Sequence, residues 1–84
     1  ETKGLVACIE AADAMAKASN ATLLDRRAIG GGYMTVMCRG DVGAVRTALE
    51  AGSKAARRIG EVVSVRILPS PHLNLEDLLP EAVE

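Results

Sequence analysis

The sequence predicts an α+β fold, two helices on one face of a mainly antiparallel sheet, and three observations predict it. Apolar residues recur at helical spacing in two stretches, residues 5–16 and 42–59. Residues 33–39 alternate between apolar and mixed positions, and residues 62–68 are rich in β-branched side chains. The resulting order of helix, strand, strand, helix, strand contains a helix–strand unit twice. It becomes a split βαβ repeat of the ferredoxin-like kind if a strand precedes Gly4.

The first helix is expected from Gly4 to about Ser19, with Leu5, Cys8, Ile9, Ala12, Met15 and Ala16 on its apolar face and Glu10, Asp13 and Lys17 opposite. Asn20 is its stop signal. Ala21 to Leu24 reads as a short strand, with Asp25-Arg26-Arg27 as its polar end. Gly30-Gly31-Gly32 then joins this strand to the next as a hairpin. From Tyr33 to Arg39 the faces separate, Met34, Val36 and Cys38 on one and Tyr33, Thr35, Met37 and Arg39 on the other. One or two glycines would satisfy a turn that needs positive φ. Three in a row strip the tip of side chains, so something is expected to pass close to the backbone there.

Asp41 is a good N-cap, because its carboxylate accepts from first-turn amides and sits at the positive end of the helix dipole. Val42, Val45, Leu49, Gly52, Ala56 and Ile59 form the apolar stripe of the helix that follows, and Arg46, Glu50, Lys54 and Arg58 form a solvated ladder on another face. Gly60 ends it as a C-cap, and Val62 to Leu68 is the last strand. Pro69-Ser70-Pro71-His72 breaks that strand, and Leu75, Leu78 and Leu79 suggest a short final helix before Pro80, after which an acidic tail frays. The sheet face away from the helices would carry Thr35, Met37 or Arg66, a mixture unsuited to a monomer, and is expected to meet a partner.

Composition narrows the functional classes. A hydrophobic fraction of 49% over 84 residues excludes intrinsic disorder, and no apolar run approaches the ~20 residues of a bilayer-spanning helix. One small soluble domain is expected. A net charge of −1 and Tyr33 as the lone aromatic argue against nucleic acid, whose binders carry a basic surplus and stacking rings. A core without Phe or Trp buries little area per residue, and Cys8 and Cys38 offer neither a disulfide framework nor zinc-ligand spacing. Oligomerisation is the remaining common remedy. Both cysteines read as small buried apolar groups in a reducing compartment. No targeting segment is visible at Glu-Thr-Lys-Gly.

Tests for an enzyme fail in turn, so no catalytic residues, cofactor or metal are expected. His72 lies in a proline-flanked turn with no nucleophile placed beside it. Glu10 and Asp13 share a helix face, but a metal or acid/base site needs further ligands. Phosphate-cradling glycine loops lead from a strand into a helix, whereas these glycines lead into a strand.

Several strings, taken in order, carry a resemblance. Gly4-Leu5-Val6, the run Ile9-Glu10-Ala11-Ala12-Asp13-Ala14-Met15 with Lys17, Ile29-Gly30-Gly31-Gly32-Tyr33, the run from Val36 to Val45, Gly60-Glu61-Val62 and Pro69-Ser70-Pro71-His72 closely resemble the single-domain, hexamer-forming shell proteins of bacterial microcompartments. The resemblance covers nearly the whole chain, so residues 1–84 are expected to be one such domain, with a first strand that precedes Glu-Thr-Lys-Gly and is cut short. It implies two helices on a four-stranded sheet, six subunits in a disc with a central pore, and discs tiled into the facets of a shell in the bacterial cytoplasm. Its partners would be other copies in a homohexamer, other shell proteins laterally, enclosed enzymes or their targeting peptides, and small metabolites passing the pore; it implies no nucleic acid, membrane or cofactor.

By position, the resemblance makes Ile29, Gly30, Gly31 and Gly32 the pore lining, with Gly31 narrowest. Gly-Gly-Gly-Tyr is closer to carboxysome shell proteins, whereas Pro69-x-Pro71-His72 leans toward metabolosome ones. Lys17, Asn20, Ser70 and His72 fall at the edge between hexamers, and Ser70 stands where many relatives place an arginine. Arg26 and Arg27 depart from the usual lead-in. They either make the pore approach basic or pair with acidic groups of the next subunit. A ferredoxin-like oligomeric regulator that binds a small effector between subunits is the competing reading, since it shares the element order and size.

Overall fold

The computed structural model describes residues 1–68. Its elements in chain order are β1 (Thr2–Lys3), α1 (Leu5–Ala18), β2 (Thr22–Gly30), β3 (Tyr33–Arg39), α2 (Val42–Arg57) and β4 (Glu61–Val62). The strands form one sheet in the order β2-β3-β1-β4, with every pairing antiparallel. The α+β class and the repeated helix–strand unit are therefore as expected. Within Glu-Thr-Lys-Gly, Thr2 and Lys3 form the described part of the first strand, β1. The expected short helix around Leu75, Leu78 and Leu79 lies outside the described residues, as do Ser70 and His72.

The two helices pack against each other over the sheet, and small side chains set their spacing. Ala7, Ala11 and Met15 of α1 meet Ala48 and Ala56 of α2, with Val36, Cys38, Leu49 and Val62 packed alongside. Gly52 marks the closest approach, because a Cβ there would stand 2.5 Å from Met15 Cγ and 3.3 Å from the Ala11 carbonyl oxygen. This geometry corrects the expected apolar face of α1. Leu5 and Ile9 are 53% and 41% exposed and Ala16 is exposed, while Ala7 and Ala11 are buried. A tight helix contact selects residues without bulk, so the inner stripe is rotated toward the alanines. Likewise Val42 and Ile59, at the ends of the α2 stripe, are exposed, and Ala48 takes a core position.

β2 is longer than its composition suggests. It runs through Asp25, Arg26 and Arg27 to Gly30, because β3 pairs with it along that length. Two register shifts interrupt the ladder, between Leu23 and Asp25 and between Ala28 and Gly30, leaving Leu24 and Ile29 as inserted residues. β4, expected over 62–68, is confined to Glu61–Val62. Its ladder partner is β1, whose two residues pair Thr2 with Val62 and Lys3 with Glu61. Beyond it the Val63 and Ser64 amides donate to the Glu1 carbonyl at 2.7 and 3.4 Å, and residues 65–68 continue without a ladder.

Asp41 caps α2 as expected, its Oδ1 accepting from the Ala44 amide at 2.9 Å. Arg46, Glu50, Lys54 and Arg58 are all exposed. The end of α2 differs in its reason for a glycine. The Gly60 amide donates to the Ala56 carbonyl at 2.9 Å, but Gly60 is not among the residues of positive φ. A Cβ there would come 3.3 Å from that of Ala7, so close approach of α1 is what favours glycine.

Candidate functional site

The turn between β2 and β3 needs every one of its glycines. Gly30, Gly31 and Gly32 have φ of 93°, 64° and 83°, and Gly30 pairs with Tyr33 across a loop whose two central residues are Gly31 and Gly32. Positive φ at both central positions is the type I′ geometry that matches the twist of a hairpin. The expectation that one or two glycines would suffice is thus corrected, since the bulge at Ile29 brings a third into the left-handed region. Gly31 and Gly32 are exposed, and Ile29 and Gly30 are half-buried. The turn is also tied down, because the Gly4 amide donates to the Gly32 carbonyl at 2.8 Å. This bond holds the glycine tip beside the start of α1.

Lys17 and Asn20 lie at the other end of that helix. Both are exposed, and Lys17 Nζ pairs with Asp13 Oδ2 at 3.0 Å one turn back, its own side chain 76% accessible. The neighbouring Ser19 hydroxyl accepts from the Ala21 amide at 3.1 Å and fixes the exit from α1. α1 has 14 residues, so at 1.5 Å per residue the glycine turn and the Lys17 region stand about 20 Å apart along it.

Asp25 and Arg27 form an ion pair through Asp25 Oδ2 and Arg27 Nε, and Asp25 Oδ1 accepts from the Arg26 amide at 2.7 Å. The Arg27 hydrogen bond, followed by that of the Arg26 amide, holds the Asp25 carboxyl below its ordinary value. Arg27 is therefore engaged within its own strand, which neither of the readings from sequence foresaw. Arg26, with Asp25, rims an open groove lined also by Ile9, Ala12 and Asp13 of α1 and Leu23 and Val36 of the sheet. The exposed Leu5, Val6 and Ile9, and this groove, leave apolar surface uncovered in one chain. On the face away from the helices, Thr35 and Met37 are half-buried, and the Thr35 hydroxyl is covered without a hydrogen-bond partner.

Cys8 is fully buried and Cys38 half-buried. Burial pushes both thiols up, against smaller opposing effects at Cys8 from Arg26, the chain's amino terminus and Thr2. They are accordingly protonated, poorly nucleophilic groups at neutral pH. Among the described residues, no three or more His, Cys, Asp or Glu side chains are grouped to hold a metal ion, and no helix is long and apolar enough to cross a membrane.

Reading the sequence missed the anchoring of the turn through Gly4 and the packing of Tyr33 beside Gly31. Neither leaves a periodic signal, though the adjacency of Tyr33 to the glycines was visible. Comparison with known proteins then places this geometry. A family model described as the BMC domain matches residues 1–71. The chain belongs to the BMC domain family. Its relatives include the bacterial microcompartment shell protein PduA of Citrobacter freundii, 53% identical over 83 residues, which span 99% of this chain and 89% of the relative. The bacterial microcompartment shell protein EutM of Escherichia coli (strain K12) is 55% identical over 80 residues, 95% of this chain and 82% of that protein. The major carboxysome shell protein CsoS1A of Halothiobacillus neapolitanus is 48% identical over 83 residues, 98% of this chain and 85% of that one. BMC domain relatives that are shell proteins favour a structural role and give no support to an effector-binding regulator.

Proposed function

We propose that this protein is a structural subunit of a bacterial microcompartment shell, in which six copies close into a ring with the glycine turn of each at the axis. Kinship with shell proteins along nearly the whole chain supports the structural role. The observation that carries the ring is the placement of two features at opposite ends of α1, a side-chain-free turn at one and an exposed lysine at the other. With the turn at the axis, α1 runs outward and sets Lys17 and Asn20 at the rim, where neighbouring rings meet. Ile29, Gly30, Gly31 and Gly32 then line the opening, and Ser70 and His72 belong to the rim. The uncovered apolar surface of α1 and the groove beside β2 become contacts between subunits.

Such an assembly needs no catalysis of its own. It passes small polar metabolites through the opening, encloses enzymes or their targeting peptides, and stands with other shell proteins in the bacterial cytoplasm. Residues 1–84 act as one domain of this kind. Native mass spectrometry at micromolar concentration is expected to show a hexamer, because a small core poor in aromatics gains stability by association. A folded monomer that persists at that concentration would overturn the ring.

A further inference from the structure

Tyr33 is the only aromatic side chain of the protein, and it sits at the base of the glycine turn. Its ring leans over the tip: a Cβ built on Gly31 would come 3.3 Å from ring carbon Cδ2 and 3.5 Å from Cε2. Tyr33 is an exposed residue, with 37% of its surface open to solvent. Its backbone is held on both sides, paired with Gly30 of β2 and with Lys3 of β1. The next residue along the turn, Gly32, is bonded from Gly4. An amphipathic ring therefore lies against Gly31, one of the two central glycines of the tip.

We propose that Tyr33 sets the size limit of the opening at Gly31, its ring forming the wall behind the glycine and its hydroxyl facing the passing solute. The inference rests on the ring of subunits with the turn at its axis. Around a closed ring, each Tyr33 repeats, so the wall is a collar of flat faces and hydroxyls, and its width changes at every subunit when the residue changes. A collar of this kind admits small hydroxylated molecules, whose oxygens replace water on backbone amides and phenols, and holds back longer ones by size. The ring adds a second constraint on a side chain at Gly31 besides its φ of 64°, since the new atom would press on the phenol, which must give by a few tenths of an ångström.

The test is entry of glycerol and of the longer polyol sorbitol into closed shells built with wild-type protein, Tyr33→Ala, Tyr33→Phe or Gly31→Leu, each first shown by native mass spectrometry to assemble. Gly31→Leu is expected to slow both solutes several-fold. Tyr33→Ala is expected to raise sorbitol entry several-fold with little change for glycerol, whereas Tyr33→Phe, which keeps the wall, should exclude sorbitol as wild type does. Should Gly31→Leu slow entry while Tyr33→Ala leaves sorbitol unchanged, the opening stands and the role of Tyr33 is overturned. If no variant alters either solute, the opening at the turn is itself wrong. A Tyr33→Phe shell as open to sorbitol as the alanine form would also overturn the wall, because the ring would then contribute nothing without its hydroxyl.

Discussion

At the scale of single residues, the helix pair depends on an absence. Gly52 is a poor helix former in the middle of α2, and replacing glycine by alanine in a helix interior ordinarily stabilises by about 1 kcal/mol. Here the added methyl would meet Met15 Cγ at 2.5 Å and Sδ at 2.9 Å, near the stem of the side chain, with the Ala11 carbonyl behind. Overpacking of that kind costs about 1–3 kcal/mol, so Gly52→Ala is expected to lower the denaturant midpoint despite its better propensity. A variant as stable as wild type would show that the helices separate freely. The cysteines give a second residue-scale expectation. A thiol whose pKa is higher folded than unfolded contributes its full stability below the ordinary thiol value of 9.0 and loses it as pH rises through the folded value. Stability should therefore decline on the alkaline side, and the decline should be shallower in the Cys8→Ala/Cys38→Ala double variant; parallel pH profiles would exclude the thiols as its source.

Elements here are stabilised by local devices that differ between the two helices. α1 begins at Gly4 with φ of 95° and no side-chain cap, and depends instead on the tie between the Gly4 amide and the turn. α2 begins with the Asp41 carboxylate on the Ala44 amide. Asp41→Ala removes that acceptor and a favourable charge at the helix start, and a loss of about 1 kcal/mol is expected. Asp41→Asn, which keeps the acceptor, should recover most of it, and chemical denaturation of the three proteins measures the difference. β2 shows the same dependence on surroundings in another form. Asp25, Arg26 and Arg27 are weak strand formers that the β3 ladder carries, while the inserted Leu24 and Ile29 bend the strand toward its turn.

At the scale of the whole molecule, the described residues offer more apolar surface than their interior absorbs. Leu5, Val6 and Ile9 on α1, and Val63, Val65, Ile67 and Leu68 after β4, are exposed together in the isolated chain, a pattern that accords with a subunit made for contact. Lateral contact is the most accessible part of the proposed assembly to test. The Lys17 ammonium is paired with Asp13 of its own helix, which at the proposed rim partly offsets repulsion from cations of the neighbouring ring. Its stem remains free to pack and its remaining protons to reach backbone acceptors. Lys17→Asp removes those donors and adds a like-charge pair with Asp13, a local penalty of about 0.3 kcal/mol that is too small to unfold a subunit. Hexamers are expected to persist while sheets and tubes seen by electron microscopy disappear. Unchanged sheets would mean that the rim lies elsewhere.

Features that depend on near neighbours along the chain are legible in the amino-acid order alone. The period of α1 and α2, the alternation of Tyr33 to Arg39, the cap at Asp41 and the hairpin at the glycines are local chemistry, and each is found where the residues put it. The order of these elements was enough for the fold class, and the strings shared with shell proteins were enough for the family. Tertiary structure decided which side of α1 is inside, because only the approach of α2 at Gly52 makes Ala7 and Ala11 better core residues than Leu5 and Ile9. It decided the length of β2, since β3 offers it paired backbone well beyond the residues of good strand propensity. It also engaged Arg27 with Asp25 and laid Tyr33 over Gly31, contacts between side chains and backbone whose geometry comes from bulges and pairing that no periodicity announces.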